Sequence, residues 1–177
     1  MDAPLSLSNV LTVMIAVGCL STITPQSRGD VVKAWRLAVP ACLAAAQATI
    51  LLAGVFNATF AHDAEWVLAA IIGGIIGRTR GWTMAIAVDQ AHGLVRLQRG
   101  IDGPMAAAAL IVLAFLDFTS AALESPVAPV EYVSAAAALF AGYLVCRALA
   151  IAVRTMRAPH VELIDALRRA DTASVNR

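Results

Sequence analysis

Charge is scarce in this sequence of 177 residues: 14% are Asp, Glu, Lys or Arg, 60% are hydrophobic, and the mean hydropathy is +0.77. Soluble domains carry about a quarter charged residues, so the scarcity excludes an ordinary water-soluble globule and makes the bilayer the expected solvent. A formal net charge of +1 leaves no bulk attraction to nucleic acid, and none is expected as a partner. Lysine is all but missing, with Lys33 alone among 13 basic residues, a bias that reads as compositional. Catalytic signatures are missing too. There is no HExxH, no GxSxG and no glycine loop of P-loop or Rossmann spacing, and no nucleophile stands paired with a base. No catalytic residue, metal ligand or cofactor is therefore expected. Cys19, Cys42 and Cys146 have no CxxC spacing and read as small buried residues at a shared depth in three different spans. His62 falls on one side of the expected membrane and His92 and His160 on the other, so the three cannot form one site. The opening MDAPLSLS has an acid and no Lys or Arg, whereas a secretory signal needs a basic start; the first apolar run is expected to be a retained span, and no lipidation signature is present.

What the chain does have is five apolar runs, at 8–24, 37–60, 65–77, 104–123 and 132–153. Crossing the hydrocarbon core takes about 20 apolar residues. The third run is short, and crosses only if Arg78 and Arg80 snorkel or the bilayer thins; a half-spanning segment is the alternative. The basic residues choose between them. Arg28, Lys33 and Arg36 follow the first run, Arg78, Arg80, Arg96 and Arg99 follow the third, and Arg154, Arg157, Arg168, Arg169 and Arg177 follow the fifth, while the N-terminal tail, 61–64 and 124–131 contain none. With five crossings every basic group lies on one side, as the positive-inside rule requires. The expected fold class is an all-α integral membrane helix bundle of five transmembrane helices in a bacterial inner membrane, N-terminus outside and C-terminus cytoplasmic. Residues 1–156 form a single transmembrane domain, and 157–177 a cytoplasmic amphipathic tail in which Pro159 opens a helix with Val161, Leu163, Ile164 and Leu167 on one stripe and Glu162, Asp165, Arg168 and Arg169 off it.

Between the third and fourth runs, Trp82, Met84, Ile86 and Val88 alternate with Thr83, Ala85, Ala87 and Asp89. A period of two predicts a strand, and after the turn-like 89–93 a second run, 94–99, completes a cytoplasmic β-hairpin over 82–99. Gly81 and Gly93 count against a helix here. A lone hairpin is marginal in water, so it must rest on something.

The polar residues inside the runs are the remaining candidates. Asp117 is an acid well inside a span, an expensive position that asks for a partner. By helical rise it sits roughly 18 Å from the cytoplasmic end, Gln47 and Tyr143 roughly 15 Å, and Arg147 roughly 9 Å. From there Arg147 either climbs to Asp117 or snorkels inward. These four would form an intramembrane polar cluster of a small transporter or channel, or simply tie helices together. Gly73 and Gly77, with Ala69 one turn earlier, make a small-residue face for helix packing within the chain or between copies. Ser and Thr in the first run point to a face toward protein or water.

The order GGIIGRTRGWTMAIAVDQAHGLVRLQRG ahead of an apolar span resembles small bacterial membrane proteins related to CcdC, over about a third of the chain. The matching positions are Gly77, Arg78, Arg80, Asp89, Gly93 and Gly100. The group's name implies a link to cytochrome c biogenesis; none of the matched residues is a haem ligand or redox pair, so that role is not carried across. The residues themselves point to a non-enzymatic scaffold or accessory subunit, embedded in the lipid bilayer and touching another membrane protein, a second copy of itself or anionic lipid through Arg78, Arg80, Arg96 and Arg99. The transporter built around Asp117 is the alternative.

Overall fold

A computed structural model describes residues 7–53, 60–123, 125 and 127–163. Five helices, α1 (Leu7–Arg28), α2 (Val39–Ala53), α3 (Phe60–Thr83), α4 (Asp102–Ala122) and α5 (Val130–Thr155), are joined at one end by a small sheet of β1 (Val31–Lys33), β2 (Ile86–Asp89) and β3 (Leu94–Leu97). Among the described residues, four helical segments are long and apolar enough to cross a membrane: Leu7–Arg28, Ala34–Ala53, Asp102–Ala122 and Val130–Thr155. The second combines a 3-10 turn at Ala34–Leu37 with α2. Of the expected second span, 54–59 lie outside the described residues.

The short third run becomes a helix of 24 residues, about 36 Å long by helical rise. Its N-terminal extension carries Asp63, and its C-terminal extension swallows the start of the expected hairpin. Trp82 and Thr83 are helical, Met84 caps the turn after them, and the strand begins only at Ile86. Tertiary contacts override the alternating pattern. Arg154 of α5 donates to the carbonyl oxygens of Gly81 and Met84 at 2.7 and 2.6 Å, satisfying groups that a helix end leaves open. Gly81, which counted against a helix, is required inside one. A Cβ there would sit 2.7 Å from the Ala150 Cβ and 2.8 Å from the Arg147 carbonyl oxygen.

That contact is one of a series. A Cβ on Gly73 would strike the Leu139 carbonyl, one on Gly77 the Tyr143 carbonyl, and one on Gly142 the Ala70 carbonyl. The matched positions rise together, so α3 and α5 run parallel and share their backbone surfaces along the Gly73–Gly77–Gly81 row. Close approach of this kind earns dispersion and Cα–H···O contacts where lipid supplies no hydrophobic drive between helices.

The hairpin does not stand alone. β1, from the first basic loop, pairs antiparallel with β3, Val32 opposite Val95, and β2 pairs with the other edge of β3, giving the order β1-β3-β2. Val32, Val88, Val95 and Leu97 face Leu37, Met84 and Ile151 in a core distinct from the one between the helices. α1 ends in a Schellman turn, Asp30 N–H to the Pro25 carbonyl and Gly29 N–H to Gln26, with Gly29 at φ 78°, the conformation glycine tolerates best. The chain after α5 is not a helix from Pro159. Val161 donates its N–H to the Val88 carbonyl and His160 bridges to Val88, so the tail lies along the free edge of β2, with Leu163 buried. Ile164, Asp165, Leu167, Arg168, Arg169 and Arg177 lie outside the described residues.

Gly77→Ala should lower stability by about 1–3 kcal/mol through overpacking, read as thermal unfolding in detergent. Gly18→Ala, whose new methyl would meet Leu43 at an ordinary 3.6 Å, should be neutral or stabilising; equal losses from both would sink the close-approach account. At the sheet, burial opposes ionisation of Asp89, but the His92 ring and backbone N–H, the His92 charge and the Leu163 N–H outweigh it and hold the carboxyl below the usual carboxylate range. Its contribution is therefore complete above the ordinary value of about 3.9 and lost as pH falls through the lower folded value. The difference in hydrogen-exchange protection of β3 between wild type and Asp89→Asn should be present above about pH 4 and vanish in stronger acid; a difference independent of pH would remove the carboxylate from the explanation.

Candidate functional site

α4 begins where the sheet ends. Gly103 and Pro104 occupy its first turn, where a missing N–H is harmless, and Asp102 opens the helix, where a negative charge meets the positive end of the dipole. Three side chains from two other helices converge on that carboxylate. Tyr143 donates its hydroxyl to Oδ2 at 2.7 Å, Arg80 donates Nη2 to Oδ1 at 3.2 Å, and the Arg147 Nε lies 3.4 Å from Oδ2. Arg147 is 5% exposed. Its Nε makes an ion pair without an aligned hydrogen bond, and its Nη2 lies 3.4 Å from the Met84 sulfur. Gly103 makes room for it: a Cβ there would meet Ile23 at 2.9 Å and the Arg147 Nη1 at 3.6 Å. The result is a polar layer between the helical core and the sheet core, with two guanidinium groups on one carboxylate. On its outer flank opens a groove of about 520 Å³ between α3, α4 and α5, walled by apolar side chains and ending at Arg80 and Asp102.

The expected cluster around Asp117 is three separate arrangements. Asp117 sits about 22 Å up α4 and accepts a hydrogen bond from the Asn9 amide of α1 at 3.0 Å. Gln47 is fully buried and donates to the Leu110 carbonyl at 2.8 Å, joining α2 to α4. Tyr143 and Arg147 stay together, but with Asp102. Arg147 does not climb to Asp117. Asp102 is not among the residues singled out from the sequence; the depth of Arg147, nearer the basic end than Asp117, is the signal that its partner belongs lower.

The four basic candidates also divide. Arg78 and Arg80 lie in the last turns of α3 on the flank of the bundle, both exposed. Arg96, in β3, and Arg99, two residues past its end, donate through Nε to the carbonyls of Gly29 and Arg28, at 3.0 and 2.9 Å. They cap the end of α1, which fixes them structurally while leaving the rest of each guanidinium exposed. Gly73 and Gly77 are buried against α5, with Ala69 half-buried one turn away. The hydroxyls of Thr12, Ser21, Thr22 and Thr24 bond carbonyls of their own helix, so they require no water beside α1. Cys19, Cys42 and Cys146 are separate free thiols, Cys19 donating to the Pro40 carbonyl at 3.4 Å and Cys146 packing on Gly74. His92 and His160, from the turn and the tail, both approach Asp89. Among the described residues no group of His, Cys, Asp and Glu has the spacing of a metal site.

No family model, curated protein or solved structure matches the chain.

Removing one partner of a buried ion pair strands the other, typically at ~3–5 kcal/mol, whereas replacing both by apolar groups is near neutral. Because 22% of the Asp102 side chain is exposed, Asp102→Ala should fall toward the lower end of that range. Asp102→Ala with Arg147→Met should regain most of the loss. Thermal unfolding of the four proteins of the cycle decides it; simple additivity would mean the two residues are not coupled.

Proposed function

We propose that the chain is a non-enzymatic accessory protein of a bacterial inner membrane, with all five helices crossing, the N-terminus outside and the sheet in the cytoplasm, where its outer face docks an acidic protein surface. The observation that carries the topology is the ladder between β1 and β3. β1 precedes α2 and β3 follows α3, so the two strands share a side only when α2 and α3 both cross or neither does. α2 and its preceding turn form one of the membrane-length apolar segments, and the return must then be α3. Its middle supports this, since Val67, Leu68, Ile71, Ile72, Ile75 and Ile76 are all exposed, a surface that suits lipid and not water. Arg78 and Arg80 at its C-terminal end reach the headgroups by snorkelling.

Orientation follows from the basic side chains collected at the sheet end. The same geometry favours a protein partner over the membrane's own lipid for the sheet itself. Val32, Val95 and Leu97 point toward the bundle, so Lys33 and Arg96, at the alternate exposed positions, look away from the bilayer. Arg78 and Arg80, on the flank of α3, are left at headgroup level. Of the positions that carry the resemblance to the CcdC group, Gly77 serves helix contact, Arg80 the Asp102 site, and Gly93 a turn at φ 61°. The transporter reading loses its motive, because Asp117, Gln47 and Arg147 have separate partners.

Single cysteines in a background with Cys19, Cys42 and Cys146 replaced by Ala test the topology. Gln90→Cys should react with an impermeant maleimide only after the inner membrane is opened, and Asp63→Cys already in intact spheroplasts; the reverse pattern overturns the orientation, and labelling of both from one side removes the crossing of α3. For the docking face, Lys33→Glu should strip a salt-sensitive partner in mild detergent while the melting temperature holds. An unchanged set of co-purifying proteins would count against the face.

A further inference from the structure

We propose that the groove between α3, α4 and α5 binds a single membrane lipid with an anionic phosphate headgroup, its head at Arg80 and one acyl chain along the apolar walls. The inference rests on the membrane placement above and not on the docking face. The groove holds about 520 Å³, within the roughly 300–1,000 Å³ usual for ligand sites. Its floor is low at Gly73, whose missing side chain lets α3 touch α5, and Met105, Ala109 and Phe140 form its sides. Polarity is confined to one end, at Arg80 and Asp102. Gly73 lies seven residues before Arg80, about 10 Å deeper by helical rise, so the polar end sits at the basic face of the bundle while the trough descends into the apolar zone. That is the layout of an amphiphile standing in one leaflet.

Charge selects the headgroup. Asp102 brings one negative charge, and Arg80 and Arg147 bring two positive ones, leaving an excess of one. Arg147 is shut in behind the carboxylate, whereas the Arg80 side chain is 46% exposed and gives a single Nη2 hydrogen bond to Asp102. Its remaining donors match phosphate oxygens. Basic pockets between helices on the cytoplasmic side hold anionic headgroups on the same principle. A zwitterionic lipid would fit the trough equally well but would bring its own cation to the guanidinium.

The test is native mass spectrometry of the full chain released from nanodiscs of phosphatidylglycerol and phosphatidylcholine in equal amounts with identical acyl chains. Wild type should retain one lipid, enriched about fivefold in phosphatidylglycerol, the selectivity expected of one arginine near the surface. Arg80→Gln should bring the ratio close to one without emptying the groove, and Arg80→Lys should restore it. Arg80 is exposed, so these variants should fold, with melting in the same detergent as the check. Ala109→Phe should lower retention of both lipids several-fold. Lys33→Glu should keep the lipid even where it loses a docked partner, which separates this site from the sheet face. Equal retention of both lipids by wild type overturns the proposal, and so does full retention by Ala109→Phe. A change of oligomeric state in Ala109→Phe with unchanged lipid would assign the groove to a second copy and overturn it as well.

Discussion

Everything at the basic end of the molecule depends on the backbone contact between α3 and α5. Three glycines four residues apart remove side chains from one stripe of α3, and the facing carbonyls of Leu139, Tyr143 and Arg147 or their neighbours occupy the space. Two helices this close have little freedom to slide, because a shift of one residue would drive Ile72 or Ile76 into backbone. The fixed register has consequences beyond the pair. It brings Arg154 beneath the last turn of α3, so that helix continues to Thr83, and it sets Arg80 and Tyr143 on either side of the point where α4 begins.

The carboxylate at that point works at a boundary. Deep in hydrocarbon, two guanidinium groups and one carboxylate would be very costly; in water they would be worth little. Asp102 sits between, at the first residue of a helix, where the dipole adds support and part of its side chain still meets solvent. Such a pair contributes little net stability compared with apolar packing, but it penalises every arrangement that leaves Arg147 alone. The interaction therefore selects one docking of α4 against α5, while the glycine row selects one docking of α3. The groove is what remains between the two choices: α3 is held to α5 by backbone, α4 is held to both by charge at one end, and the apolar stretch above that end stays open.

Much of this architecture is legible in the sequence because lipid imposes simple demands. Apolar length marks the helices, and the placement of arginine marks the shared end, including the basic loops that the sheet later joins. The misses have physical causes. Val31–Lys33 is too short to carry a periodic signal, and as a strand it exists only because β3 offers a partner 63 residues away. Trp82 to Val88 alternates as a strand would, yet helix contacts and the Arg154 cap extend α3 through the first part of it; local pattern yields where tertiary partners satisfy the backbone differently. Gly81 was legible as a helix breaker or as the third member of the Gly73–Gly77 row, and the row has the stronger physics in a membrane. Asp102 was hidden by depth reasoning that began from the acid farthest inside an apolar run, although an ion pair at a lipid boundary is more easily sustained than one far inside.

The arginines show how one residue type serves two demands at once. On composition alone their dominance over lysine reads as bias, and as charge alone they mark a side of the membrane. In the fold, Arg96 and Arg99 each direct an Nε–H to a carbonyl at the end of α1, and Arg154 spans two carbonyls at the end of α3 with one nitrogen. These contacts use the fixed fork of the guanidinium, which leaves further donors pointing outward. Lysine's rotatable point charge would mark the same side but hold the helix ends less firmly. Helices that end together expose several open carbonyls in a small area, and the segments that meet there carry the arginines that reach them. Placing arginine on those carbonyls couples the placement of charge to folding: Arg96 and Arg99 close the end of α1, and Arg154, from the last turn of α5, closes the end of α3.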